Sequence, residues 1–252
     1  MASVWRPRPV ALVRNCAIQS RRHRLTARPN LANPGSTPLG AGGTVCPSSG
    51  EKGTPMAIMM ILEWEGVSPD QYARVNDTMG IHTDADVPDG LISHVAAIDE
   101  DGEMTVVDLW ESEQALGRFV ETRLGPALAE VGIPESQPRI HPLHKELHSS
   151  AAEGNVLILI EVDDTSTDVY DRMAAEMPEQ TGDASGYPWR LHSVATDGSG
   201  FVVADLWPSE EAFGQFAGQR IGPAAQKHGM GPMRQKTLKV HNHLRSRSRS
   251  GA

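Results

Sequence analysis

His94 and Asp108, and again His192 and Asp205, lie in apolar segments at separations of fourteen and thirteen residues. A carboxylate beside a buried imidazole fixes its tautomer and raises its basicity, which prepares a general base. The same pair without catalysis is a satisfied polar contact that pins strand register. Both readings stand at this level. Two His and two Asp lack any characteristic metal-ligand spacing, so neither a metal nor another cofactor is expected. Trp110 and Trp207 follow each Asp by two residues, as ring surfaces for a flat ligand or as core aromatics. Other chemistry is missing from the sequence. Cys16 and Cys46 are the only cysteines, no Gly-x-Ser-x-Gly elbow occurs, and Gly40-Ala41-Gly42-Gly43 follows no strand pattern.

The elements that must position these residues come as a repeated unit. Met59-Met60-Ile61-Leu62-Glu63 with Tyr72-Ala73-Arg74 matches Leu157-Ile158-Leu159-Ile160-Glu161 with Tyr170-Asp171-Arg172 at an offset of 98. Asp108-Leu109-Trp110 and Arg123-Leu124-Gly125-Pro126-Ala127 match Asp205-Leu206-Trp207 and Arg220-Ile221-Gly222-Pro223-Ala224 at 97. One deletion separates the copies. Each copy reads strand, helix, strand, strand, helix, strand, the split βαβ order called ferredoxin-like. Ser68-Pro69 predicts an N-cap and N1 proline for a helix to about Met79. The acidic turn Asp99–Glu103 predicts a hairpin between Leu91–Ile98 and Met104–Trp110. Ser112 caps a second helix that Gly125-Pro126 is expected to interrupt and restart, reaching about Val131. Arg139–Leu147 is the last strand.

The hairpin turns fix the register. Ile98 facing Met104 sets His94 opposite Asp108, and Thr196 facing Phe201 sets His192 opposite Asp205, so the deletion preserves both pairs. Alternation groups Ile92, His94, Val106, Asp108 and Trp110 on one face, and Arg190, His192, Val203, Asp205 and Trp207 on its counterpart. These sets are expected to point away from the helices. A four-stranded sheet with helices on one side leaves its other side bare, and the second unit is the natural cover. The fold class is therefore α+β, two βαββαβ repeats packed sheet to sheet, with the pairs lining a cavity between them. His141, His144 and His148, with His241 and His243, read as an exposed end, and Arg123 and Arg220 as charges complementing helix C-termini.

The 252 residues carry a formal charge of −9, distributed unevenly. Residues 1–50 hold seven arginines and no acid, whereas Met56–Leu244 holds 12 basic and 31 acidic residues, a formal −19. So acidic a body repels nucleic acid, whose affinity comes from Lys and Arg displacing counterions. The chain has no apolar run near the ~20 residues a spanning helix needs, so no membrane partner is expected. Residues 1–55 read as a disordered Arg-rich leader, transit-like or translated from a misassigned start, and 245–252 as a disordered Arg-Ser tail. Between them lie a first repeat at 56–147, a linker at 148–154 and a second repeat at 155–244. The expectation is a cytoplasmic, monomeric pseudo-dimer.

Trp110-Glu111-Ser112-Glu113-Gln114-Ala115-Leu116 and Trp207-Pro208-Ser209-Glu210-Glu211-Ala212-Phe213 each end a strand and open a helix. They resemble the Trp-x-Ser-x-Glu/Gln-Ala-Phe segment of the dimeric α+β barrel superfamily, in its antibiotic-biosynthesis-monooxygenase (ABM) type. The resemblance spans about Met56 to Leu244 and implies a barrel closed by two repeats of one chain. It also implies cofactor-independent oxygenation or proton transfer on an aromatic or polyketide-like substrate as one activity, with His94 or His192 as base. The alternative is a noncatalytic ligand-binding or assembly module. In both, a small apolar or aromatic molecule is the partner, lined by Trp110, Trp207, Ile92 and Arg190. Haem-degrading relatives add an Asn on the first strand and a His on the second helix; here Glu63 and Trp64 end the strand and Ser112–Val131 contains no His. That argues against haem degradation.

Overall fold

The computed structural model describes residues 56–134, 136–149, 153–177 and 188–246. The expected leader and most of the expected tail lie outside these residues. The first repeat runs β1 (Ile58–Trp64), α1 (Pro69–Met79), β2 (Leu91–Ile98), β3 (Met104–Trp110), α2 (Glu113–Phe119), α3 (Gly125–Val131) and β4 (Arg139–His148). The second follows as β5 (Val156–Val162), α4 (Thr167–Ala175), β6 (Leu191–Thr196), β7 (Phe201–Trp207), α5 (Glu210–Phe216), α6 (Gly222–His228) and β8 (Met233–Arg245). Arg245, assigned from sequence to the tail, is the last residue of β8. Its N–H donates to Asp84 at 2.9 Å.

Local chemistry accounts for most boundaries. Ser68 caps α1 in a reciprocal box with Gln71, Pro69 occupies the first turn, and Gly80 ends the helix at φ 65°. The Asp99 carboxylate accepts from the N–H groups of Asp101 and Glu103 and closes the β2–β3 hairpin. The Gly125-Pro126 step does not break its helix. Val120–Leu124 widens into one π turn, and the Gly125 N–H reaches back to the Val120 carbonyl. In a regular α turn the proline ring would collide with the carbonyl four residues earlier; the wider turn absorbs it. Ala217–Ile221 repeats this before Pro223. Glycine suits position 125, where a Cβ would meet the Val120 oxygen at 3.0 Å, closer than an ordinary contact.

Among the described residues eight strands close a barrel in the order β1-β3-β2-β8-β5-β7-β6-β4, with β4 returning to β1. Each repeat supplies one four-stranded ferredoxin-like sheet. The edges are sealed by exchange: β8 of the second repeat pairs with β2 of the first, and β4 of the first pairs with β6 of the second. A closed ring leaves no exposed ladder within it. Met59, Ile61, Val95, Ala97, Val107, Leu109, Leu157, Leu159, Leu191, Ala195, Ala204 and Leu206 fill the interior. An eight-stranded barrel is just wide enough for side chains, and small residues such as Ala97, Ala195 and Ala204 fit that width. The expected central cavity is thus a packed core.

At one mouth the repeats exchange charges. Arg139 of β4 lies 2.5 Å from Glu161 of β5, and Lys236 of β8 lies 3.2 Å from Asp99 and 3.9 Å from Glu63. Burial pushes the Glu63 carboxyl up against the opposing pull of Arg139 and Lys236. Burial alone would do the same at Glu161, but Arg139 and Arg234 outweigh it and hold that carboxyl down.

Gly90, at φ 86°, faces Ala115 of α2 so closely that a Cβ would sit 2.6 Å from the alanine methyl, whereas Gly102, at φ 84°, has open space around it. Gly102→Ala is expected to cost about 1 kcal/mol for the left-handed backbone alone. Gly90→Ala adds a clash and is expected to cost about 2–3 kcal/mol. Denaturant unfolding midpoints of the two variants check the order.

Candidate functional site

The predicted hairpin register is observed: His94 pairs with Asp108 across β2–β3 and His192 with Asp205 across β6–β7. His94 Nδ1 lies 2.7 Å from Asp108 Oδ1, and His192 Nδ1 lies 2.8 Å from Asp205 Oδ1. The face assignment is reversed. Trp110 packs with Met60, Leu62, Val106 and the helix residues Tyr72, Val75 and Leu116, so both pairs stand under the helices and not in the barrel interior. The alternate residues of the same hairpin, Val95 and Ala97 with Val107 and Leu109, line the narrow barrel instead.

Two of the expected ligand contacts separate from the pairs. An irregularity in β2 between Leu91 and Ser93 turns Ile92 into the barrel core, away from His94. Arg190, the matching residue of the second copy, acts electrostatically on His243 and Arg245 of β8. Trp110 stays with its pair, its indole N–H donating to Asp108 Oδ2 at 3.3 Å. Trp207 packs among Trp189, Phe213 and Phe216, and its indole nitrogen has no hydrogen-bond partner among the described residues.

Sequence reasoning missed the third member of each group. Tyr72 of α1 places its hydroxyl 2.7 Å from His94 Nε2, and Tyr170 of α4 stands 2.7 Å from His192 Nε2. Both tyrosines were visible as markers of the repeat at an offset of 98. Their burial on the sheet-facing side of amphipathic helices was the available signal. Each chain of contacts therefore runs Tyr–His–Asp, and both imidazole nitrogens are engaged.

The opposite repeat completes each group. Asn242 of β8 donates to the Tyr72 hydroxyl at 2.8 Å, and His241 stands edge-on to the Tyr72 ring at 5.5 Å. At the pseudo-equivalent place on β4, Lys145 lies over the Tyr170 ring at 5.7 Å and His144 stands edge-on to it at 5.9 Å. Of the strand histidines, His144 and His241 are exposed as expected, His148 and His243 are partly buried, and His141 is buried, where burial and Arg139 hold its imidazole down. Arg123 donates to the Met79 carbonyl at the end of α1, so it complements a neighbouring helix.

A partly open cavity of about 60 Å3 adjoins the first group. Its wall is mainly apolar, including Met60, Leu62, Val106, Trp110 and Phe119, with Tyr72, Asn76, His94 and Asp108 as polar members. One water needs ~10–15 Å3 and a cavity of ~150 Å3 accepts benzene. The space therefore takes a molecule of a few heavy atoms or one edge of a larger one. The His94 side chain is 15% exposed and that of His192 6%. Among the described residues no group of three or more His, Cys, Asp or Glu side chains is placed to hold a metal ion.

Burial by itself would depress the His94 imidazole, but the Asp108 carboxylate and the Tyr72 hydroxyl outweigh it, and the imidazole is pushed up to about 10. Near neutrality His94 is an imidazolium with Nδ1–H donated to Asp108 and Nε2–H to Tyr72. It has no lone pair to offer a ligand. The Tyr72 oxygen accepts from His94 and Asn242, which leaves its own hydrogen for the cavity.

No protein-family model and no curated protein matches the sequence. Among solved structures, a provisionally named monooxygenase from Fusobacterium nucleatum subsp. nucleatum is 13% identical with a TM-score of 0.57, over 76% of this chain and 95% of that one. Another, from Lactobacillus acidophilus, is also 13% identical with a TM-score of 0.57, over 75% of this chain and 96% of its own. What they share with this chain is the fold, ferredoxin-like units closed into an α+β barrel. No helix among the described residues is long and apolar enough to cross a membrane.

An unfolded histidine titrates near 6.5, so folded His94, near 10, holds a proton that the unfolded chain releases between those values. Its stabilisation is complete below pH 6.5 and is lost as pH rises toward 10. His243 acts oppositely. Burial and then Arg190 press its imidazole down to about 4, so acidification from 6.5 toward 4 charges it only in the unfolded chain and erodes stability. Urea unfolding is expected to show the alkaline loss in the wild type and its absence in His94→Gln. The acid-side loss is expected to persist in His94→Gln and to shrink in His243→Gln, the remainder coming from His141, whose imidazole burial also holds down.

Proposed function

We propose that the barrel binds a small apolar or aromatic molecule in the cavity beside Tyr72 and transfers a proton to and from it. The carrying observation is the Tyr72–His94–Asp108 chain, which ends on a hydroxyl in an apolar cavity. Such a wall excludes water and strengthens each polar contact inside it. Asp108 holds the imidazolium, and the imidazolium together with Asn242 steadies the Tyr72 oxygen as its proton leaves.

For an enolisable ketone the balance is simple. The Tyr72 hydroxyl gives its proton to the carbonyl oxygen, the phenolate takes a proton from the adjacent carbon, and an enol leaves with Tyr72 restored. Aromatic and polyketide-like molecules in that electron-rich form react with dioxygen directly, which connects proton transfer to cofactor-independent oxygenation. Tyr72 is the catalytic residue; His94 and Asp108 act through it. Trp110 forms part of the wall and orients Asp108. Because the ring closes within one chain, the protein acts as a monomer that contains its own pseudo-dimer.

Deuterium exchange at the acidic carbon of 2-indanone, followed by proton NMR, tests this reading. General acid–base groups contribute roughly 10²–10⁴-fold. Tyr72→Phe and His94→Gln are expected to slow exchange about 100-fold or more, and Asn242→Ala about tenfold. Exchange by the wild type no faster than buffer, or unchanged exchange in Tyr72→Phe, would leave the noncatalytic module as the correct account.

A further inference from the structure

The two Tyr–His–Asp groups match in geometry but differ in what stands before them. At the offset of 98 that relates His94 to His192, Leu91 corresponds to Trp189. Leu91 borders the cavity of the first repeat. Trp189 is 1% exposed and fills the corresponding place, its ring 5.4 Å from His192, 5.6 Å from Trp207 and 5.4 Å from Phe216. An indole is far larger than an isobutyl group, and the difference suits the volume left open beside Leu91.

We infer that the chain carries one open ligand site and one latent copy plugged by its own Trp189, so that residue sets the number of sites per molecule. The second group keeps its hydrogen bonds because they tie α4 to the β6–β7 hairpin, beside a strand borrowed from the first repeat. The chemistry remains in place behind the plug. Removing the indole leaves an apolar space bordered by Tyr170, His192, Trp207 and Phe216, the counterpart of the first cavity. That space would take the same class of small apolar molecule. Lys145, in place of Asn242, would put a cation beside Tyr170, so the opened site would differ in charge.

This inference rests on the first group being a ligand site, but its test reads occupancy and not turnover. Xenon enters apolar cavities without needing polar contacts. Crystals of the full chain pressurised with xenon are expected to hold one atom beside Tyr72 and His94 and none among Trp189, His192 and Trp207. Trp189→Leu is expected to gain a second atom beside Tyr170 and His192, doubling the count. Leu91→Trp is expected to lose the first. If Trp189→Leu does not fold, Leu91→Trp decides alone. Xenon beside His192 in the wild type, a folded Trp189→Leu without the added atom, or Leu91→Trp that keeps the first atom would overturn the proposal. Failure of Tyr72→Phe to slow exchange would sink the catalytic reading and leave this pattern untouched.

Discussion

The exchange of last strands between the repeats is the constraint from which the rest follows. A ferredoxin-like sheet covered by helices on one side has a bare face and two open edges. Packing two such sheets face to face hides the bare faces, but only β4–β6 and β8–β2 pairing removes the edges. That pairing carries Asn242 and His241 of the second repeat to Tyr72 of the first. It carries His144 and Lys145 of the first to Tyr170 of the second. Neither group would be complete in a separated half. The same strands bring Arg139 and Lys236 to the carboxylates of the opposite repeat, so one exchange sets pairing, charge and site together.

The electrostatics of the first group follow from burial joined to complete hydrogen bonding. An isolated imidazolium would not survive in an apolar layer. Asp108 lies 2.7 Å away and the Tyr72 oxygen 2.7 Å on the other side, so the charge is compensated along both N–H directions. Trp110 takes the remaining carboxylate oxygen at 3.3 Å. The contrast with His243 is instructive. It too is largely shielded, but beyond burial the charge that acts on it most is the cation Arg190, and its imidazole goes down where that of His94 goes up. The sign of the neighbouring charge decides between them.

Much of the fold was legible in the sequence because local rules govern it. Ser68-Pro69, the acidic hairpin turn and the 98-residue offset carried the element order, and turn length fixed which residue opposes which. The facing of the strands was not legible. Alternation distinguishes faces when one meets water, whereas a helix-covered closed barrel buries both, leaving only size as a clue. Ala97, Ala195 and Ala204 were that clue, small because the barrel is narrow. Tyr72 escaped because its partners come from elements 22 and 170 residues away, and no spacing rule connects them. Ile92 was misplaced by a single irregularity in β2, which alternation cannot foresee. The helix break expected at Gly125-Pro126 failed for a related reason, since a π turn accommodates the proline without interrupting the helix.

Fusing both halves into one chain changes what the sequence is free to do. In a dimer of identical chains every substitution appears at both sites, so a residue that plugs one plugs the other. A tandem copy lifts that coupling. Leu91 can border a cavity while Trp189 closes its counterpart, and Asn242 can hold a tyrosine oxygen where Lys145 covers a ring. What cannot diverge is whatever both halves need to close the ring: strand order, hairpin register and the buried Tyr–His–Asp contacts behind each sheet. Those features match, and the differences named here fall beside the two Tyr–His–Asp groups. A shared scaffold with unequal linings is what a barrel of two linked repeats allows when closure constrains both copies alike and the linings are free to differ.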